Sequence, residues 1–123
     1  MGENQIEQRN ELLFAILDGI VEKKGKDIVN IDLTKIENAI CHNFIICHGD
    51  SNTQVDAIAD NVVKQVADKL ETKVLHKEGL ENCQWVLLDF ADVIVHIFQK
   101  EYREYYKLEE LWADAQVEMI DSE

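Results

Sequence analysis

With 123 residues, 46% of them hydrophobic, the chain is long enough to bury one core without disulfides or metal ions. Its 25 acidic and 12 basic residues give a net charge of −13, which argues against direct binding to bare nucleic acid. No apolar run approaches the roughly 20 residues of a membrane-spanning helix, and the polar N-terminal segment is unlike a secretory signal. We therefore expect one cytoplasmic domain, off the membrane, whose natural partner is a basic protein surface.

The first half of the chain predicts a helix followed by two strands. Apolar residues recur at helical spacing over residues 5–24, and Gly25 follows two lysines as a stop signal. Residues 27–32 and Asn43–Gly49 are apolar runs typical of strands. Between them, residues 33–40 are compatible with either a helical turn or a loop across one edge of the sheet.

The clearest helical pattern in the chain lies at Asn52–Leu70. Ser51 and Gln54 match a capping box, in which two side chains satisfy free backbone N–H groups of the first turn. A continuous apolar stripe at helical spacing then runs through the whole segment. Residues 72–76 are predicted to form a short strand.

Residues 85–112 hold both tryptophans and all three tyrosines. The apolar runs at 85–90 and 93–98 predict a β-hairpin, followed by a helix at 99–106 and a short helical turn at 108–112. Aromatic and aliphatic side chains on a sheet, edged by carboxylates, are typical of a surface that docks another macromolecule.

These elements together predict a single-domain α/β fold with a mixed sheet of about five strands and helices packed on it. The sheet should be parallel where the helix at 52–70 crosses over and antiparallel at the hairpin. If helices cover one face, the other face of the hairpin is available to a partner, although burial on both faces explains the apolar runs equally. The domain is expected to span residues 1–114, with a loose acidic tail at 115–123.

Two cysteine–histidine doublets, Cys41-His42 and Cys47-His48, are candidates for a metal site. A zinc site needs four convergent ligands. Adjacent residues of a strand point to opposite faces, so each doublet offers one ligand at most. We therefore expect no metal here, and buried, reduced thiols at these cysteines and at Cys83.

A nucleotide site is the other chemical alternative. The loop at residues 48–54 precedes a helix N-terminus, where backbone N–H groups can bind an anion, but it has one glycine and no lysine, unlike a Walker loop. Asp89 and Asp92 lack the alternate spacing that aims two strand carboxylates at one metal ion. We expect no cofactor and no catalysis. A nucleotide-binding protein that uses this loop and these aspartates is the alternative.

Four segments carry a resemblance to a known family. They are GKDIVNIDL at residues 25–33, FIICHGDSNTQVDAIAD at 44–60, WVLLDFADVIVHIF at 85–98 and REYYKLEELW at 103–112. In this order, and over almost the whole chain, the sequence resembles the ribosomal silencing factor family, also called Iojap-like proteins.

The resemblance implies a non-enzymatic translational repressor. Such a factor binds the large ribosomal subunit through ribosomal protein fourteen, blocks association with the small subunit and lowers translation under nutrient limitation. A factor for large-subunit assembly is the alternative that the resemblance leaves open. The implied fold is related to nucleotidyltransferases without their catalytic carboxylates. Independently of the resemblance, an apolar sheet face kept for a partner can associate with itself until that partner arrives, so we expect a homodimer when the protein is free.

The resemblance also suggests which residues contact the partner. Trp85 and Leu108 are expected as apolar anchors, and Glu109 and Glu110 as carboxylates that face basic residues. Many relatives have glycine where this chain has Ala91, so the hairpin turn is a point of departure from the family. The full set of expected partner-binding residues is Trp85, Leu87, Asp89, His96, Tyr106, Leu108, Glu109, Glu110, Leu111 and Trp112.

Overall fold

The computed structural model describes residues 2–112 and 115–120, with the backbone alone described at 2–6, 109 and 112. The elements in chain order are α1 (Gly2–Glu22), β1 (Lys26–Asp32), β2 (Asn43–Gly49), α2 (Asn52–Leu70), β3 (His76–Glu78), β4 (Trp85–Asp89), β5 (Val93–Gln99), α3 (Lys100–Tyr106), a 3₁₀ helix (Leu108–Trp112) and β6 (Gln116–Met119). The predicted α/β fold is confirmed. Residues 33–40 form turns without a regular helix.

The strands form one six-stranded sheet in the order β3-β4-β5-β2-β1-β6. Among the described residues, the central pair, β2 with β5, is parallel, and the other four pairings are antiparallel. The predicted mixed sheet is therefore confirmed. The parallel pairing requires the crossover through α2, because parallel neighbours cannot be joined by a tight turn.

Two expectations about strands are wrong in detail. The loose segment expected after Ala115 contains β6, which pairs with β1 and adds a sixth strand. All four side chains of β6 are exposed, so no alternation of buried and exposed residues marks this strand in the sequence. The strand expected at residues 72–76 begins at His76 instead, since pairing with β4 starts opposite Asp89.

Helices α1 and α2 pack against one face of the sheet. The start of α2 matches the predicted cap, as Ser51 Oγ accepts a hydrogen bond from the Gln54 N–H at 3.1 Å. Gln54 Oε1 also accepts from the Asp50 N–H at 2.7 Å, and its Nε2 donates to the Lys23 and Lys24 carbonyls. One glutamine therefore ties the start of α2 to the end of α1.

The sheet is apolar on both faces and separates two hydrophobic clusters. The larger cluster lies beneath α1 and α2 and includes Ile16, Val62 and Ile97. The smaller one lies on the opposite face and is covered by the 33–42 loop, α3 and the 3₁₀ helix. The strand residues of this smaller cluster are Val29, Ile31, Phe44, Ile46, Ile94 and Phe98.

The three cysteines, Cys41, Cys47 and Cys83, are buried and unpaired.

The turn between β4 and β5 is held by a side chain. Asp89 Oδ1 accepts a hydrogen bond from the Ala91 N–H at 2.7 Å, the turn chemistry typical of aspartate. Ala91 has φ +73°, a left-handed conformation that costs a residue with a Cβ about 1 kcal/mol. Alanine at this position, where many relatives are expected to have glycine, therefore lowers the stability of the turn.

Replacing Ala91 with glycine should raise the free energy of unfolding by up to about 1 kcal/mol, because glycine adopts this φ without the steric clash. Urea unfolding of the two proteins measures the difference. The matched control is Ala57→Gly inside α2, where the same chemical change should lower stability by about 1 kcal/mol. A destabilised Ala91→Gly protein would contradict this account of the turn.

Candidate docking surface

An aromatic cluster lies on the sheet face that α1 and α2 leave uncovered. The register places Trp85 opposite Phe98 on the neighbouring strand, and the two rings stack with centroids 5.0 Å apart. Tyr106, at the end of α3, contacts Trp85 from the outside with a centroid distance of 4.8 Å. Tyr105 meets Tyr106 edge-on at 5.1 Å. The rings therefore form a continuous series from the sheet to the surface.

His96 holds the indole of Trp85 in place. Trp85 Nε1 donates a hydrogen bond to His96 Nδ1 at 3.0 Å. Since an indole only donates, Nδ1 is an acceptor and the neutral imidazole carries its proton on Nε2. That Nε2 has no hydrogen-bond partner among the described residues, and the ring lies edge-to-face with Phe44 at 4.8 Å.

Burial keeps the His96 side chain neutral. Only 5% of the residue is exposed, and desolvation lowers its pKa from 6.5 to about 4. A partner that docks on this face would contact the outer aromatic rings, whereas His96 lies beneath them and holds Trp85 by a hydrogen bond. The expectation that His96 contacts the partner directly does not fit its burial.

Three large apolar side chains of α3 and the 3₁₀ helix are exposed. Tyr105 is 78% exposed, Tyr106 47% and Leu111 73%. Glu104 and Glu110 are exposed on the same two elements. Apolar groups of this size with carboxylates around them have the composition of an interface, in which aromatic residues are enriched.

The structure brings together most of the residues expected from the sequence. Trp85, Leu87, His96 and Leu108 share the smaller hydrophobic face, with Tyr106 packed on Trp85. Leu108 is buried, so it anchors the 3₁₀ helix to the sheet.

The remaining expected residues differ in their exposure and contacts, and the side chains of two of them are not described. Asp89 lies on the same face, but its carboxylate is engaged in the β4–β5 turn. Leu111 and Glu110 are exposed on the 3₁₀ helix. The side chains of Glu109 and Trp112 lie outside the described residues.

Sequence reasoning missed Phe98, the buried ring on which Trp85 stacks, and Tyr105, which is exposed beside Tyr106. Phe98 has the same strand parity as His96, so strand alternation was a usable signal for it. Tyr105 sits beside Tyr106 at the end of a short helix that the left-handed residue Lys107 terminates. A helix of seven residues is too short for its sequence pattern to indicate which side chains are exposed.

Comparison with known proteins decides the family. A family model described as ribosomal silencing factor during starvation matches residues 6–123. The chain belongs to the ribosomal silencing factor family. A protein of Halalkalibacterium halodurans with the name ribosomal silencing factor RsfS is 42% identical over 105 residues, which are 85% of this chain and 88% of that protein.

Other members of the ribosomal silencing factor family agree in sequence and in fold. The RsfS protein of Bacillus subtilis is 42% identical over 100 residues, covering 81% of this chain and 83% of that protein. A crystal structure of a protein from Chromobacterium violaceum matches with a TM-score of 0.79 at 34% identity and covers 84% of both chains. The predicted resemblance to this family is thereby confirmed.

The two parts of the alternative nucleotide site lie at opposite ends of the sheet. The 48–54 loop follows the end of β2, where His48 is opposite Phe98, whereas Asp89 is opposite Ile94. These positions are four residues apart along β5, or about 13 Å. The loop and the aspartates therefore do not form one site. No helix in the described part of the chain is long and apolar enough to cross a membrane.

The neutral His96 makes the stability of this silencing factor sensitive to acid. The unfolded chain binds a proton near pH 6.5 and the folded chain only near pH 4, so the free energy of unfolding falls as the pH is lowered through this window. The full loss is on the order of 3 kcal/mol. Urea unfolding at a series of pH values measures it.

The variant His96→Gln, which cannot take up the proton, should show a smaller fall between these pH values. Some fall remains, because burial and Arg103 also lower the pKa of His48. His76→Gln, on the exposed edge strand β3, is the matched control for loss of a histidine. If the His96→Gln protein kept the full pH dependence of the wild type, the buried neutral histidine would not be its source.

Proposed function

We propose that this protein represses translation by binding the large ribosomal subunit through ribosomal protein fourteen and sterically preventing association with the small subunit. The supporting observation is the set of exposed apolar side chains of Tyr105, Tyr106 and Leu111, of which Tyr106 packs on the ordered Trp85, in a chain of the silencing factor family. A steric block needs no bond-making chemistry and no cofactor, so the docking surface alone suffices for the function.

Rigidity of the base favours tight docking. Trp85 is stacked on Phe98 and hydrogen-bonded to His96, so its position is set before the partner arrives. Tyr106 rests on that indole. A surface whose side chains are already ordered loses less conformational entropy on binding, which leaves more of the contact free energy as affinity.

The charge of the chain suits a basic partner. A net charge of −13 attracts a basic protein surface over long range and raises the association rate. Glu104 and Glu110 are exposed on α3 and the 3₁₀ helix, the elements that also carry Tyr105, Tyr106 and Leu111, so their carboxylates are available to lysine or arginine of the partner. Binding is therefore expected to weaken as salt is added.

In the absence of the ribosome, we propose that the same apolar residues pair two copies of the chain. Exposed apolar surface of this kind tends to associate with itself until its partner covers it. The dimer and the ribosome complex would then exclude each other, because both bury Tyr105 and Leu111.

Removing an outer anchor should weaken ribosome binding by about tenfold or more, as expected for an aromatic residue at the centre of an interface. The test variants are Tyr106→Ala and Leu111→Ala, and the measurement is co-sedimentation with purified large subunits, followed by addition of small subunits. The matched control is Phe14→Ala, since Phe14 is equally prominent at 69% exposure but lies on α1, in the helical layer.

Binding that blocks subunit joining, and is lost only in the two surface variants, supports both the function and the surface. Loss of binding in Phe14→Ala alone would place the interface on the helical layer and contradict the proposed surface. Absence of co-sedimentation at low salt for the wild type would contradict the proposed function itself.

A further inference from the structure

Strand β6 forms an open edge of the sheet. Among the described residues it pairs with β1 alone, and all four of its side chains are exposed. The outer backbone groups of such a strand are free to pair with another extended chain. The opposite edge, β3, consists of His76, Lys77 and Glu78, and a central lysine is a common protection against such pairing. Strand β6 has neither lysine nor proline, so this protection is missing.

The hydrogen bonds to β1 show which backbone groups of β6 point outwards. The Ile120 N–H donates to the Ile28 carbonyl at 2.9 Å. Bonded and non-bonded positions alternate along an antiparallel pair, so Glu118, two residues earlier, also bonds to β1. The N–H and C=O groups of Val117 and Met119 are therefore directed away from β1, towards the open edge.

The side chains of these two residues make one face of the edge apolar. Val117 lies opposite Ile31, and Met119 lies opposite Val29, so the four side chains share one face of the sheet. Val117 is 48% exposed and Met119 is 71% exposed. Exposed apolar residues on an unpaired edge favour association with a further strand, whose own apolar side chains would cover them.

The other face of the edge is polar and holds an open cavity of about 500 Å³. Its two carboxylates belong to Asp32 and Glu118. The Thr34 side chain donates a hydrogen bond to Asp32, which lowers the pKa of that carboxyl, and the charges of Arg9 and Lys35 act in the same direction. Glu118 is exposed and forms no ion pair within the described residues. It is therefore the carboxylate here that is available to a cation of a partner.

A second copy of the chain fits this edge poorly. If two β6 strands pair antiparallel through both outward residues, Val117 of each copy lies opposite Met119 of the other. That register places the two Glu118 residues directly opposite each other, where like charges are destabilising. The net charge of −13 on each copy adds to the repulsion. A basic residue opposite Glu118 replaces this repulsion with attraction.

We propose that β6 binds an extended segment of another protein in which a lysine or arginine lies between two apolar residues. The segment adds a strand antiparallel to β6, and its backbone pairs with Val117 and Met119. Because side chains alternate between faces along a strand, its apolar residues cover Val117 and Met119 while its basic residue meets Glu118. This pairing uses none of the residues that we propose for ribosome docking.

The test follows the backbone amides of the full chain by NMR while the synthetic peptide acetyl-Thr-Val-Lys-Val-Thr-amide is added. A bound strand should slow hydrogen exchange at Val117 and Met119, because their N–H groups become hydrogen-bonded. The peptide with glutamate in place of lysine should bind about tenfold more weakly, since it sets a like charge against Glu118. The lysine peptide with both valines N-methylated lacks the N–H groups that face β6 and should not bind.

Two variants of the chain complete the test. Val117→Pro removes an outward N–H and leaves the bonds to β1 in place, so it should weaken peptide binding about tenfold. Glu118→Gln should weaken binding about threefold. The matched control is Glu78→Gln on the opposite edge strand, which should bind as the wild type does. If Val117→Pro detaches β6, faster exchange at the Glu118 amide reveals it, and the three peptides decide the question.

Slower exchange confined to β6, with weaker binding of the glutamate peptide and by Glu118→Gln, supports the proposal. Equal binding of the lysine and glutamate peptides, or protection at β3 instead of β6, would overturn it. Protection of Val117 and Met119 that rises with protein concentration before any peptide is added would show pairing with a second copy and would also overturn it. No change at these two amides at millimolar peptide would rule out the site.

Discussion

The parallel pairing of β2 with β5 puts two strands with apolar side chains on both faces at the centre of the sheet. All seven residues of β2 and six of the seven in β5 are buried. Helices α1 and α2 cover only one of those faces. The other is covered by the 33–42 loop together with α3 and the 3₁₀ helix, whose Leu108 is buried against the sheet. The exposed side chains of these short elements, Tyr105, Tyr106 and Leu111, form the surface that we propose for docking.

The same short elements join two regions of different chemistry. Tyr106 extends the aromatic cluster on the sheet face opposite α1 and α2, while Lys100 and Arg103 of the same helix line a cavity where β1 begins and β2 ends. Arg103 is buried and bonded to His48 and to the Lys26 carbonyl, so it fixes the position of α3 against β1 and β2. The placement of the aromatic surface therefore depends in part on a polar contact at the far side of the helix.

Sequence patterns predicted the elements whose residues alternate or repeat strongly. The stripe and cap of α2 and the run of β2 gave boundaries that the structure reproduces, because burial on a regular face leaves a regular pattern. Strand β6 has no such pattern in the sequence, because its side chains are exposed and only its backbone pairs with β1. The burial of His96 and the cavity beside Arg103 arise from contacts between residues distant in the chain, which local spacing does not encode.

The central claim is that the Tyr105–Leu111 side of the molecule meets ribosomal protein fourteen. Photo-cross-linking tests it most directly, with a photoreactive phenylalanine analogue placed at position 105 and, as a control, at position 14 on α1. The account predicts that position 105 cross-links to ribosomal protein fourteen in isolated large subunits and that position 14 does not. Cross-linking of position 14 to that protein, or of position 105 only to other components, would contradict it.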